Sequence, residues 1–233
     1  MKRTSRFFTF MPLVFVDSIA AIVLAACLGS HAAAAEGADL PIVFSEDFEQ
    51  GADHWEPFDA KCWKLEAGKS GQGYSQFVKE SGYKPPHRSP LNIALRKGDA
   101  VGDFTLECDV LSTTRDYNHR DACIVFGFQD AAHFYYVHLG KRADDHANQI
   151  FIVNDAPRTK ISTTSTAGTD WKDDTWHHVK IERDAASGRI AIYFDDMEKP
   201  IMTATDKTFA QGRVGIGTFD DTAIYDNVLL KGR

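Results

Sequence analysis

Two carboxylates in one short stretch are the first residues of this sequence whose types and spacing suggest chemistry. The segment F-T-L-E-C-D-V-L-S-T-T, residues 104–114, alternates apolar and polar side chains and places Glu107 and Asp109 two positions apart. Side chains two apart on a β-strand point to the same face of the sheet. A pair of carboxyl groups on one face is the arrangement with which enzymes cleave glycosidic bonds. The alternative is the solvated polar face that antiparallel sheets commonly have.

Two dense polar loops, R-D-Y-N-H-R-D and K-R-A-D-D-H, follow predicted strands and add further candidates. Imidazoles are the usual general bases, and cationic groups stabilise negative charge that develops on a ligand. His119 and His138 are therefore the candidate bases if the protein is an enzyme. Arg120, Arg142 and His146 are candidate rim residues of a binding groove. The alternative for each is an ordinary hydrophilic loop residue.

Short runs with a period of two residues follow one another from Ile42 onward and are separated by turn residues. Examples are I-V-F-S-E-D-F, C-I-V-F-G-F, H-V-K-I-E-R and R-I-A-I-Y-F. Such spacing predicts an all-β, antiparallel two-sheet jelly-roll sandwich that occupies residues 42–233 as one domain. The segment D-A-A-S-G, residues 184–188, predicts a hairpin loop in which Gly188 takes a positive φ angle.

The apolar residues predict that segments 102–111 and 122–129 are neighbouring antiparallel strands, because that register places four apolar pairs on one face. The pairs are Phe104–Phe128, Leu106–Phe126, Cys108–Ile124 and Val110–Ala122. A turn at residues 130–133 then leads into the next strand. The opposite face would carry Glu107, Asp109, Gln129, Tyr136 and His138. Aromatic side chains on that face favour a binding groove over a solvated surface.

The same register predicts the state of the cysteines in the domain. Cys108 and Cys123 would point to opposite faces of the sheet, which disfavours a disulfide bond between them. We therefore expect Cys62, Cys108 and Cys123 to be free thiols.

Three longer segments resemble a known family: residues 126–139, F-G-F-Q-D-A-A-H-F-Y-Y-V-H-L; residues 176–196, W-H-H-V-K-I-E-R-D-A-A-S-G-R-I-A-I-Y-F-D-D; and residues 212–228, G-R-V-G-I-G-T-F-D-D-T-A-I-Y-D-N-V. Together they resemble the concanavalin A-like, laminin-G-like jelly rolls of bacteria, near the 3-keto-disaccharide hydrolases and the laminarinase-type glycoside hydrolases. The resemblance implies carbohydrate as the ligand, bound on the concave face of one sheet. This fold hosts lectins, adhesion modules, hydrolases and lyases alike, so the resemblance does not decide the activity.

The sequence departs from the enzymes of that family at two motifs. Laminarinase-type enzymes carry E-x-D-x-x-E or a version one residue shorter, but Leu111 and Ser112 occupy both positions where the acid/base residue would stand. The Gly- and Ser-rich motif associated with the 3-keto-disaccharide hydrolases is also absent from the sequence. Three functions stay open: a carbohydrate-binding module, a polysaccharide lyase or glycoside-cleaving hydrolase on the same face, and a cell-surface protein-interaction module.

Two further site predictions concern a metal ion and an aromatic platform. The resemblance implies a structural calcium ion that clamps the first and last strands, with Asp47 and Asp226 as candidate oxygen ligands. Trp171 has polar neighbours, so its ring is a candidate surface for stacking on a sugar. The alternative for Trp171 is a side chain that packs beneath its loop.

The N-terminal segment predicts export. A positively charged start, M-K-R-T-S-R, precedes the short apolar run S-I-A-A-I-V-L-A-A. Residues 1–27 end in L-A-A-C, which is typical of a lipobox that leaves a lipid on Cys27, whereas cleavage after Ala35 is the alternative. Residues 28–41 are then a linker, and the domain works outside the cytoplasm, in contact with a membrane only through the lipid. The net charge of −7 and the lack of a basic patch argue against nucleic acid as a partner.

Overall fold

The computed structural model describes residues 40–98 and 100–233, and the predicted export signal, Cys27, Ala35 and most of the linker lie outside these residues. The described chain is built from strands, with one 3₁₀ turn at Ala60–Cys62. The prediction of an all-β fold is therefore confirmed. Within the described ranges, no helix has the length and apolar character needed to cross a membrane.

Sixteen strands in the described residues form two antiparallel sheets. In chain order the strands are β1 (Ile42–Glu46), β2 (Trp55–Pro57), β3 (Trp63–Ala67), β4 (Gln72–Gln76), β5 (Asn92–Arg96), β6 (Phe104–Ser112), β7 (Cys123–Asp130), β8 (His133–His138), β9 (Gln149–Asn154), β10 (Thr159–Lys160), β11 (Ser162–Ser165), β12 (His177–Asp184), β13 (Arg189–Phe194), β14 (Met202–Thr205), β15 (Arg213–Thr218) and β16 (Ala223–Gly232). Sheet A has the order β11-β14-β13-β12-β6-β16-β4-β3, and β1 also pairs with β16. Sheet B has the order β10-β9-β8-β7-β15-β5-β2.

The main hydrophobic core fills the space between the two sheets. Alternation along β6 and β12 puts one set of side chains into this core and leaves the other set on the outer face of sheet A. The hairpin predicted between β12 and β13 is confirmed, because the Gly188 amide donates to the Asp184 carbonyl and Gly188 has φ of +82°. This loop joins two central strands of sheet A with a short connection.

The predicted pairing of β6 with β7 is wrong. Strand β6 lies in sheet A between β12 and β16, whereas β7 lies in sheet B between β8 and β15. The apolar complementarity behind the prediction is nevertheless present across the sandwich. The rings of Phe104 and Phe126 contact each other edge to face, with 6.0 Å between their centroids. Matching apolar faces indicate contact, but they do not distinguish a neighbour within a sheet from a partner across the core.

A β-bulge at Gly127 changes which side chains of β7 face the core. The register of β7 shifts between Phe126 and Asp130, and Gly127 has φ of +59°. Phe126 points into the main core, whereas Phe128 belongs to a second apolar cluster on the other side of sheet B. A Cβ atom at Gly127 would lie 2.9 Å from the Tyr135 ring, so the glycine is needed for both its conformation and its size. The predicted hairpin from β7 to β8 is confirmed, with Asp130 opposite His133.

The outer face of sheet B is covered by protein. Its apolar cluster contains Ile93, Leu95, Cys123, Val125, Phe128, Phe134, Tyr136, Phe151, Val153 and Phe219. The connection between β4 and β5, residues 77–91, contributes to the cover. Tyr83 packs edge to face on Phe58, and the Arg88 guanidinium lies over the Phe219 ring. The Arg158 guanidinium lies 4.2 Å from the centre of the same ring. The aromatic residues of this face therefore form a second core.

The two ends of the domain meet in sheet A. Strand β1 pairs with the C-terminal half of β16, and β4 pairs with its N-terminal half. The Gly232 amide donates to the Pro41 carbonyl at 2.9 Å. The first and last strands are thus joined by main-chain hydrogen bonds.

Candidate functional site

Glu107 and Asp109 lie on the outer face of sheet A and are joined there by a histidine. In the register of β6 and β12, His178 lies opposite Asp109. His178 Nδ1 is 2.9 Å from Asp109 Oδ1, and His178 Nε2 is 3.0 Å from Glu107 Oε2. About a third of the His178 and Glu107 side chains is exposed, whereas Asp109 is nearly buried. The predicted common face of the two carboxylates is present, with an imidazole between them.

Both ring nitrogens of His178 contact a carboxyl group of β6. One imidazole therefore joins the two acidic side chains into a continuous row, the Glu107–His178–Asp109 row, on this face. Nitrogen and oxygen atoms within hydrogen-bond distance of one another are a suitable arrangement for binding polar groups.

Asp109 accepts hydrogen bonds from three elements of sheet A. Besides His178, its partners are Asn227 Nδ2 at 2.9 Å and Lys69 Nζ at 3.0 Å, both at Oδ2. Burial by itself would raise the pKa of Asp109, but the hydrogen bonds from Asn227, His178 and Lys69 outweigh it and hold the pKa below its usual value. Asp109 is thus an ionised carboxylate with a structural role at the base of the row.

A β-bulge in β16 supplies Asn227 and positions the turn that carries Lys69. The register of β16 against β6 shifts between Asp226 and Leu229, and Asn227 takes φ of +49°. Asp226 uses Oδ2 to accept the amides of Lys69 and Ser70 at 2.8 and 3.2 Å, so it fixes the turn between β3 and β4. This turn carries the Lys69 ammonium to Asp109. The row is therefore held by β6, β12, β16 and one turn.

A second polar cluster continues the same face toward β13. Glu182 accepts hydrogen bonds from Tyr193 Oη at 2.9 Å and Arg189 Nη1 at 3.0 Å, and its other oxygen is 3.1 Å from Lys180 Nζ. The Lys180 ammonium also lies 4.0 Å above the centre of the Tyr193 ring. Burial would raise the pKa of Glu182, but the bonds from Lys180, Tyr193 and Arg189 outweigh it and lower the pKa.

The surface between the two clusters is recessed. A depression of about 520 Å³ is lined by ten residues, which include Thr105, Glu107, Lys180, Glu182, Arg189 and Lys231. This volume is within the range of small-molecule sites, about 300–1,000 Å³. Its wall carries hydrogen-bond donors and acceptors, and anionic and cationic groups are both present. Such a wall can bind a neutral ligand with many hydroxyl groups, because each hydroxyl both donates and accepts.

The structure does not bring Gln129, Tyr136 and His138 to this face. All three belong to sheet B, so the prediction that they share a face with Glu107 and Asp109 is wrong. Tyr136 is completely buried in the second apolar cluster, where it accepts a hydrogen bond from Arg158 Nη1. The prediction failed because β7 pairs with β8 and β15 in sheet B and not with β6.

His138 is also buried, and its ring nitrogens are both in use. Nε2 is 2.9 Å from Asp121 Oδ2, and Nδ1 is 3.1 Å from the His146 carbonyl. Gln129 is exposed near a strand end, where its amide bonds to the carbonyls of Gly127 and Gln211. His138 is buried in sheet B, so it cannot act as the predicted base on a ligand bound to sheet A.

Arg120 and Trp171 are structural residues, and their predicted roles in binding are corrected. The Arg120 side chain is fully buried, and it donates to Ser112 Oγ, to Asp173 Oδ1 and to the carbonyls of Ser112 and Lys172. Trp171 is only 4% exposed, and its indole N–H donates to the Leu139 carbonyl at 2.7 Å. Its ring packs edge to face on Phe194, which agrees with the alternative that Trp171 packs beneath its loop.

His119, Arg142 and His146 are exposed in loops, as predicted. They follow strand ends, whereas Glu107 and His178 lie within strands, so the structure does not join them into one site. Their role in ligand binding stays a prediction.

The predicted calcium ligands Asp47 and Asp226 lie near opposite ends of the described chain. Asp226 uses both oxygens for main-chain amides, and Asp47 accepts the amide of Glu49. Among residues 40–98 and 100–233, the clusters with ligand spacing suited to a metal contain neither residue. The free state of Cys62, Cys108 and Cys123 is confirmed.

Sequence reasoning missed His178, Lys69, Asn227 and Glu182 as members of the site. The alternation in H-H-V-K-I-E-R does place His178, Lys180 and Glu182 on one face of a strand. What it lacks is the neighbour of that strand, because β12 and β6 are separated by about 70 residues of sequence. Only the strand order shows that these side chains face Glu107 and Asp109.

The comparisons with known proteins concern the fold. No protein-family model and no curated protein match the sequence. Among solved structures, carbohydrate-binding module CBM66 from Bacillus subtilis is 21% identical, with 77% of this chain and 96% of that chain covered and a TM-score of 0.53. Domain 4 of AbnA, a GH43 extracellular arabinanase from Geobacillus stearothermophilus solved with arabinotriose, is 8% identical, with coverage of 83% and 93% and a TM-score of 0.53. A galectin-like protein of unknown function from Bacillus subtilis is 10% identical, with coverage of 83% and 97% and a TM-score of 0.53. These similarities confirm the jelly-roll sandwich.

Proposed function

We propose that this protein is an exported carbohydrate-binding domain that holds sugar hydroxyls on the outer face of sheet A. One observation carries the proposal: the Glu107–His178–Asp109 row stands beside a depression of about 520 Å³ whose wall presents donors and acceptors together. The likeness in fold to CBM66 and to the arabinanase domain supports carbohydrate as the ligand class. The sequence signals at residues 1–27 support an extracytoplasmic location.

The charges of the site favour a neutral sugar over a charged one. Glu182 and Asp109 have lowered pKa values and are each surrounded by donors, so their charges are already matched by protein groups. Glu107 Oε2 lies 3.0 Å from His178 Nε2, and 29% of the Glu107 side chain is exposed, so its carboxyl group is open to the depression. A ligand with hydroxyl groups can share these hydrogen bonds without adding a charge that needs a partner.

A panel of neutral polysaccharides, scored by affinity electrophoresis and then calorimetry, tests the proposal. We expect binding by the unmodified protein and about tenfold or greater weakening in Glu107→Ala, because a hydrogen bond to a charged group contributes about 1.5–3 kcal/mol. Glu56→Ala is the matched control. Glu56 is also a strand glutamate that accepts a bond from a basic side chain, Arg213, but it lies on sheet B. Equal loss in both variants, or binding that survives Glu107→Ala, refutes the location.

A glycoside-cleaving activity on the same face is the second candidate. It is favoured by the position of His178 within hydrogen-bond distance of both carboxyl groups, since proton transfer between such groups is the chemistry that glycosidases and lyases require. The panel is therefore also scored for new reducing ends and for unsaturated ends. Product that disappears in His178→Gln supports an enzyme. Binding without product supports the binding domain.

A further inference from the structure

A second cluster of carboxylates lies at the end of the sandwich, away from the Glu107–His178–Asp109 row. Asp121 lies two residues before the start of β7, and Asp220 and Asp221 lie in the turn between β15 and β16. One ligand oxygen from each residue lies within 4.8 Å of the others. Asp121 and Asp221 are completely buried, whereas Asp220 is exposed. The cluster therefore opens to solvent on the Asp220 side.

One buried oxygen of this cluster has no partner. Asp121 Oδ2 accepts from the Phe219 amide and from Cys123 Sγ, and it lies 2.9 Å from His138 Nε2. Asp121 Oδ1 is buried and has no hydrogen-bond partner within the described part of the chain. A buried carboxyl oxygen without a partner is costly, because it has lost its water and gained nothing in return. A cation beside Oδ1 removes that cost.

The charge around the cluster is only partly matched by protein groups. Asp221 Oδ1 accepts from Lys79 Nζ and Tyr117 Oη, both at 2.8 Å, and its Oδ2 accepts the Asp121 amide. Asp220 has no ion-pair partner among the described residues. Lys79 is half exposed on a flexible stem, so it can turn away when a cation enters.

We propose that Asp121, Asp220 and Asp221 form a calcium site that joins the start of β7 to the turn between β15 and β16. Oxygen-only ligands suit a hard cation, and calcium accepts irregular sets of carboxylates completed by water. Zinc is disfavoured although Cys123 and His138 are nearby, because both nitrogens of His138 are already in use. Three carboxylates opposed by one lysine correspond to the weak range of extracellular calcium modules, with Kd of about 10⁻⁴–10⁻³ M.

Thermal unfolding of the EDTA-treated full chain, with calcium chloride as the probe, tests the site. Calcium at about 100 times Kd is expected to raise the unfolding midpoint by about 5–10 °C. Terbium supplies an independent readout, since Tyr117 bonds to Asp221 and can sensitise emission from a bound ion. Calcium should displace the terbium and reduce that emission.

Variants on the open side of the cluster separate a calcium site from a purely structural one. Asp220→Asn should weaken calcium binding at least tenfold, yet it should not lower the midpoint in EDTA, because Asp220 is exposed and forms no ion pair among the described residues. Lys79→Met should tighten calcium binding, since it removes the competing ammonium. Asp170→Asn, a change at an exposed loop aspartate, is the matched control and should leave binding unchanged.

Two results would overturn the proposal. One is an unfolding midpoint that does not respond to calcium up to about 10 mM, ten times the weakest expected Kd. The other is a calcium response of equal size in Asp220→Asn and in the unmodified chain. Either result would mean that the Lys79 ammonium, and not a calcium ion, balances the charge of the three carboxylates.

Discussion

Replacing the buried Arg120 by methionine tests the assignment of this residue to the framework of the fold. Methionine keeps most of the apolar stem but removes every donor. Ser112 Oγ and the carbonyls of Ser112 and Lys172 then lose partners at 2.9, 2.9 and 3.1 Å. Asp173 is 63% exposed, so the loss of its ion pair with Arg120 adds little.

The expected cost of Arg120→Met is about 3–5 kcal/mol, because three acceptors lose their donor and each unsatisfied buried group costs about 1–3 kcal/mol. For a domain of this size it corresponds to a drop in the unfolding midpoint of about 6–20 °C. Guanidinium chloride denaturation measures the free energy, and calorimetry measures the midpoint. Arg142→Met is the matched control, because Arg142 is exposed and the change should stay within about 0.5 kcal/mol. Stabilities of the two variants within 1 kcal/mol of each other would refute the framework role.

Three further predictions follow from buried groups. Trp171→Phe removes the donor to the Leu139 carbonyl and should lower the free energy of unfolding by about 1–3 kcal/mol in denaturant titrations; no change would mean that the bond contributes nothing. The folded-state pKa of Asp109 is lowered, so its contribution to stability is complete above the unfolded pKa of about 3.9 and is lost as the pH falls toward the folded value. The free energy of unfolding of Asp109→Asn should therefore change less with pH in that window than the free energy of unfolding of the unmodified protein. Identical pH profiles for the two proteins would contradict this prediction. Burial raises the pKa of the Cys108 and Cys123 thiols, so a thiol reagent should modify them only after unfolding, and rapid modification of the native protein would exclude the described burial.

Local patterns in the sequence predicted what depends on neighbouring residues. The alternation around Glu107 placed both carboxylates on the outer face of one strand, and D-A-A-S-G predicted the hairpin at Gly188. Both conclusions need only the period of a strand and the conformational freedom of glycine. Polar spacing likewise predicted that His119 is exposed.

The errors arose where distant segments decide the environment of a side chain. Tyr136 and His138 are aromatic residues at positions that face outward from sheet B, but Arg158 bonds to Tyr136 and the Phe219 ring packs on His138. Both covering residues lie in loops, where no periodic pattern indicates such a role. The bulge at Gly127 then reverses the direction of Phe128 without any change in the apolar pattern. His178 joins Glu107 only through a strand pairing that spans 71 residues.

The hydrogen bond between Gly232 and Pro41 places the N-terminal end of the described chain at one end of the sandwich. Gly232 lies opposite Phe104, at the start of β6, whereas the turn between β15 and β16 lies beside the other end of that strand. The nine residues of β6 span about 26 Å at 3.3 Å per residue. The chain therefore enters the domain at the end opposite the turn between β15 and β16, and the outer face of sheet A extends along the length between these two ends.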